Sequence, residues 1–171
     1  MKFLQTMVDC KKLSGYKLYG YCLMGNHVHL LIKEEGEELG QVFKRIGSRY
    51  VYWYNWKYKR SGHLFQDRFK SEAVESDAYF LTALRYIHQN PLKVGLSKTL
   101  EAYKWSSYKH YMWNPGITDV DFALDMTGKD AFIKYMNENN DDQLLELEAE
   151  KIRLTDNELT EKIAKNSRSV R

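Results

Sequence analysis

Apolar residues at Phe3, Leu4, Met7, Val8 and Leu13 recur three and four apart, the spacing of a helix that buries one face, and Ser14-Gly15 supplies its stop. The period then changes. Tyr16 to Cys22 alternates as a strand does, Met24-Gly25-Asn26 reads as a turn, and the apolar run ending at Ile32 reads as the second arm of a hairpin. Leu39, Val42, Phe43, Ile46, Tyr50, Trp53 and Tyr54 return to helical spacing, which predicts a helix from about Gly40 to Lys59 with Tyr50 and Trp53 used for packing. Leu64 to Val74 is strand-like again. Ser76 and Asp77 read as the N-cap of a helix over Ala78 to Asn90, amphipathic through Phe80, Leu81, Leu84 and Ile87, and Pro91 stops it.

Asn114-Pro115-Gly116 marks a break, after which the composition turns acidic. Asp119 to Met126 and Asp130 to Glu138 predict short helices. Asn139 to Asp142 forms a polar boundary, and in the charged remainder through Lys165 the pair Thr155 and Glu158 makes a capping box. With 171 residues, one main domain is expected, and 43% hydrophobic with 29% charged residues is ordinary for a globular chain. No run of eighteen apolar residues occurs and the start lacks the organisation of a signal peptide, so no membrane span and a cytoplasmic location are expected. Cys10 and Cys22 lack a metal-type spacing and read as reduced, structural thiols.

A net charge of +3 says little, but its distribution says more. Between Lys44 and Lys70 basic residues are numerous and Asp67 is the one acid, with aromatic residues interleaved. Cations meet phosphates and flat rings stack on unpaired bases, a mixture suited to single-stranded or hairpin nucleic acid. Lys57, Lys59, Arg60, Arg68 and Lys70 are the phosphate candidates, the last two on the strand-like segment. The opposing reading is strong, since the helical spacing of the rings assigns part of them to a core.

The candidate chemistry lies elsewhere. His27 and His29 flank one residue, and side chains two apart on a strand share a face, so both imidazoles can reach one cation while Val28 faces the opposite layer. A lone His-x-His is more often a hydrogen-bonded part of a sheet face. Tyr86 and Asn90, four apart on the predicted helix, project from one face. A phenol oxygen is a usable nucleophile, and an Asn oxygen is a hard donor for Mg²⁺ or Mn²⁺. Two His, an amide and a helical Tyr make a coherent site for attack on a phosphodiester. Taken alone, Tyr86 would be a half-buried aromatic and Asn90 the residue before Pro91. His63 and His88 suit a DNA or structural contact better than a third ligand.

Three stretches, Tyr21 to Ile32 (Tyr-Cys-Leu-Met-Gly-Asn-His-Val-His-Leu-Leu-Ile), Gly62 to Lys70 and Arg85 to Leu96, resemble in order the single-tyrosine HUH transposases, with the REP-associated tyrosine transposases as the nearest branch. The resemblance implies an α+β fold: a ferredoxin-like antiparallel sheet with helices on one face. It implies a catalytic domain over residues 1–113, closed by the segment Trp105 to Tyr111, and an accessory helical region over 114–171. It implies metal-dependent nicking and rejoining of single-stranded DNA, with His27 and His29 as metal ligands, Tyr86 as the nucleophile forming a 5′-phosphotyrosine, and Asn90 where relatives place a polar third ligand. Relatives include dimers that share active sites, so a homodimer is compatible, and monomers. The departure from the family's pattern is at the start, where the expected central first strand is missing and the chain opens on the helix. That departure favours an alternative, a domesticated protein that binds hairpin or single-stranded DNA without turnover.

Overall fold

The computed structural model describes residues 1–139, which form a two-stranded antiparallel sheet covered by helices. In chain order the elements are α1 (Lys2–Ser14), β1 (Lys17–Leu23), β2 (Val28–Lys33), α2 (Leu39–Tyr58), α3 (Asp77–Lys93), α4 (Tyr108–Met112), α5 (Asp121–Thr127) and α6 (Lys129–Asn137). The α+β class and the hairpin are as the sequence predicts. The capping box at Thr155 and Glu158, and the charged remainder, lie outside the described residues.

α1 ends where expected, with Gly15 in the left-handed region at φ 69° and its N–H on the Lys11 carbonyl. β1 pairs with β2 in a register that slips by one residue between Leu18 and Gly20, so Tyr19 is an extra residue in the strand. A bulge of this kind resets the alternation of faces. Leu18, Tyr21 and Leu23 consequently pack with Phe3, Met7 and Cys10 of α1 and Val42 and Ile46 of α2, and Cys22 turns to the opposite layer. On that layer Cys22 and Leu31 meet Phe80, Leu84 and Ile87 of α3, and the same cluster continues into α5 and α6 through Ala123, Phe132 and Met136. The helices therefore cover both faces of the sheet, not one, because β2 is apolar on each side: Val28, Leu30 and Ile32 towards α1 and α2, Leu31 towards α3.

The two edges of the hairpin differ. β1 is satisfied on its outer side by residues 105–107: Leu23 donates to the Trp105 carbonyl and Ser107 to the Tyr21 carbonyl, each at 2.9 Å, and Cys22 bridges to Ser106. Among the described residues β2 pairs only with β1. The expected strand over Leu64 to Val74 is absent, and this segment is irregular and largely exposed. An extended backbone needs a neighbouring ladder to become a strand. None reaches it here, and Phe69 is held instead by its ring against Phe43, with centroids 4.3 Å apart.

α3 begins as predicted, the Ser76 side chain accepting from the Tyr79 N–H. It does not stop at Pro91 but continues to Lys93. Proline loses one intrahelical hydrogen bond, a small loss in a last turn. The buried Pro91 also gives its carbonyl to the N–H groups of Leu96 and Ser97, at 2.8 and 3.2 Å. Deeper in the helix, His88 is fully buried, its Nε2 2.8 Å from the Ser107 hydroxyl, which also accepts from the Tyr21 N–H. His88 thus ties α3 to the outer edge of β1, the structural alternative of the two that its sequence position allows. Cys10 and Cys22 are free and buried.

Candidate functional site

The hairpin turn and α3 assemble the site. Met24 donates to the His27 carbonyl at 2.9 Å, closing the turn over Gly25-Asn26 and setting His27 one residue ahead of β2. His29 follows from the same face. The two imidazoles stand with centroids 4.7 Å apart and planes at 89°. From α3 the ring of Tyr86 meets His29, centroids 5.7 Å apart, and is buried beneath it at 6% exposure. Residues distant in sequence thereby converge: His27, His29 and Tyr86.

The electrostatics suit ligation. Burial lowers the pKa of both histidines, that of His29 to about 4 with help from the neighbouring His27 charge. Both rings are therefore neutral at pH 7, the form that offers a lone pair. Asn26 Oδ1 lies 2.7 Å from His27 Nδ1. A carboxamide oxygen only accepts, so the proton sits on Nδ1 and His27 Nε2 keeps its lone pair. His29 Nε2 is buried without a hydrogen-bond partner, a deficit worth roughly 1–3 kcal/mol that a cation would remove. On that observation the pair fits a divalent metal. Among the described residues no three His, Cys, Asp or Glu side chains cluster, so further donors would be amide, water or substrate oxygens.

Asn90 stands one turn beyond Tyr86, 7% exposed, and its Nδ2 donates to the Tyr86 carbonyl at 3.0 Å. That leaves Oδ1 as the atom that could face an ion. A groove beside the site is lined by His29, Phe43, Phe69, Lys70 and Tyr86 among others, so Lys70 stands at the candidate nucleophile although the strand expected to carry it did not form. Arg68 is exposed on the same irregular segment, and Lys57, Lys59 and Arg60 are exposed where α2 ends. Lys57 Nζ lies 5.0 Å from the Trp53 ring centroid and the Arg60 guanidinium 5.7 Å from that of Tyr54. His63 is exposed.

Other tyrosines are less suited to attack. Tyr79 lines the groove but donates to the Glu72 carboxylate, whose hydrogen bond pushes its pKa to about 12. Tyr108 is fully buried and accepts from Asn137. Sequence reasoning missed Asn26 as a support for His27, though it adjoins the histidine. It also missed Lys93, whose Nζ lies 5.0 Å from the Tyr86 ring centroid. Its spacing of seven from Tyr86 places it on the same helical stripe, a signal that was present.

A family model described as "Transposase IS200 like" matches residues 2–90. One solved structure, described as "Structure of the REP associates tyrosine transposase bound to a REP hairpin", is similar with a TM-score of 0.59 at 15% sequence identity, over 67% of each chain. At that identity the likeness speaks for the fold. No curated protein matches.

Proposed function

The chain belongs to the IS200-like transposase family, and from that premise we propose that it nicks and rejoins single-stranded or hairpin DNA through a covalent phosphotyrosine at Tyr86. The observation that carries the reading is the convergence of His27, His29 and Tyr86, with His29 Nε2 buried and unpartnered at its centre. His27 and His29 would hold Mg²⁺ or Mn²⁺, with Asn90 Oδ1 as a third protein donor. When bound, that ion supplies charge neutralisation at the non-bridging oxygens of the scissile phosphate.

The remaining work falls to the chain's own residues. The Tyr86 oxygen attacks phosphorus, a Tyr–O–P bond forms, and the bond to the 3′ oxygen breaks. The phenol proton ends on that oxygen, leaving a 3′-OH and a 5′-phosphotyrosine; attack by a 3′-OH in reverse rejoins the strand. A free phenol is mostly protonated at pH 7, so part of the rate must come from positioning. Packing of Tyr86 against His29 and the Lys93 ammonium limits its ring motion. Lys70 on the groove wall, and Lys57, Lys59, Arg60 and Arg68 beyond it, bind the DNA backbone.

A second reading, hairpin or single-stranded DNA binding without turnover, is favoured by one observation. β2, which carries His29, is paired along one edge only among the described residues. A denaturing gel separates the two. Mixed with labelled hairpin DNA and Mn²⁺, the chain should give a shifted protein–DNA band, absent from Tyr86→Phe, which removes one oxygen and keeps the packing. No band from the parent chain would select the binding-only reading, and a band that survives in Tyr86→Phe would move the nucleophile elsewhere.

A further inference from the structure

α2 turns Val42 and Ile46 inward at 0% and 3% exposure, yet farther along it Tyr52 and Trp56 are 78% and 72% exposed. Large rings that far in water need a reason, since burying either would remove well over 100 Å² of apolar surface. The other aromatics of this helix show the usual outcome. Tyr50 packs on Phe3, Trp53 on Tyr50, and Tyr58 on Tyr54, at centroid distances of 4.9, 5.7 and 4.5 Å. Among the described residues no ring packs on Tyr52 or Trp56. They are four apart, so they rise from neighbouring turns of one stripe.

Charge selects the occupant. From Lys44 to Gln66 the sequence has no Asp or Glu, and Lys57, Lys59 and Arg60 are exposed just beyond the two rings. Exposed π-faces flanked by cations alone match a polyanion that also presents flat apolar faces. A blunt duplex hides its base faces in the stack, whereas an unpaired strand offers them. We infer that Tyr52 and Trp56 form a stacking platform for unpaired bases of DNA, with Lys57, Lys59 and Arg60 holding the adjoining phosphates. Tyr52 and Trp56 lie on the side of α2 away from Phe43, the residue of this helix that lines the groove at His29 and Tyr86, and so apart from that site. The inference rests on the DNA-binding half of the proposed function and not on the chemistry at Tyr86.

The test is a fluorescence-anisotropy titration of the whole chain with a labelled thymidine oligonucleotide and, separately, a blunt duplex of the same length. Parent, Tyr52→Ala, Trp56→Ala, Trp56→Phe and the double alanine variant are compared across a salt series. Both positions are exposed, so circular dichroism should show an unchanged fold. Each alanine should weaken single-strand binding about tenfold, with little change on duplex, and Trp56→Phe should keep most of the affinity. The dependence of affinity on salt should keep its slope, because rings release no counterions. Tryptophan emission should be quenched by the thymidine strand in the parent and much less in Trp56→Phe. Unchanged affinity of the double variant, an equal loss on duplex, or failure of the parent to bind the thymidine strand would each overturn the platform. A parent that binds the strand through these rings but gives no covalent band with hairpin DNA would remove the nuclease reading and leave this inference standing. A covalent band with ring-independent binding would do the reverse.

Discussion

The ring of Tyr86 on α3 stands edge-on to the ring of His29 on β2, planes at 88° and centroids 5.7 Å apart. An edge-to-face pair of this kind fixes the helix against the strand as well as the candidate nucleophile against the candidate metal site.

His27 adjoins His29 but belongs to neither hydrophobic core cluster, standing at the turn just ahead of β2. His27→Ala should therefore fold normally and abolish cleavage of hairpin DNA while keeping most of the DNA affinity, which phosphate contacts dominate. Cleavage at the parent rate by this variant would remove the metal site from the mechanism.

Asn26 would act on a metal held by His27 only through the proton it fixes on His27 Nδ1. Asn26→Ala should reduce Mn²⁺ affinity about 10- to 100-fold in a calorimetric titration. Asn26→Asp, which retains an acceptor oxygen, should restore much of it. Equal affinities in all three chains would show that the contact does not orient the ligand.

Lys70 is the basic candidate that lines the groove with His29 and Tyr86. If it meets a phosphate there, Lys70→Ala should weaken hairpin binding and reduce the slope of log affinity against log salt by about one. A weakened affinity with the parent slope would mean that the side chain contributes by something other than charge.

Acid should destabilise the fold through its buried histidines. His88 is depressed from 6.5 to about 3 by burial, with the His110 charge adding to it, and His110 is itself lowered by burial. Below pH 6.5 the unfolded chain takes up a proton at His88 that the folded chain refuses until about pH 3. Stability should thus fall as pH drops through that window, by about 1.4 kcal/mol per unit from His88 alone, and should not change from this source above it. His27 and His29 act in the same direction. Urea unfolding at pH 7, 6, 5 and 4 would check it, and a flat profile would contradict the burial of His88 as a neutral ring.

Gly20 is the one residue of β1 that lets α3 approach so closely: a Cβ there would lie 2.6 Å from Leu84 Cδ1, and Leu84 is fully buried. Gly20→Ala should cost about 1–3 kcal/mol in urea unfolding by overpacking. Combined with Leu84→Ala it should cost less than the sum of the two, because the second change makes the room that the first needs. Simple additivity would mean that the strand shifts instead.

Local patterns in the sequence decided much of this protein. The helical spacing of Phe3, Leu4, Met7 and Val8, the Ser76 cap, and the alternation ending at Cys22 each depend on interactions within a few residues, and the corresponding elements formed. The neighbourhood of His27 and His29 in the candidate site was legible for the same reason, since residues two apart in extended backbone share a face. Other features needed the assembled fold. Leu64 to Val74 has a strand's composition but no ladder beside it, so tertiary pairing outweighed propensity. Pro91 remained in α3 because its carbonyl found partners at Leu96 and Ser97. The bulge at Tyr19, and with it the layer each residue of β1 faces, was set by the register with β2. The meeting of Tyr86 with His29, 57 positions earlier in the chain, required α3 to pack on the hairpin, and no local period encodes that contact. Packing likewise divided α2 along its length, burying Val42 and Ile46 in its first half against α1 and the sheet and leaving Tyr52 and Trp56 in solvent farther on, although helix geometry sets Trp56 close to the stripe of Val42.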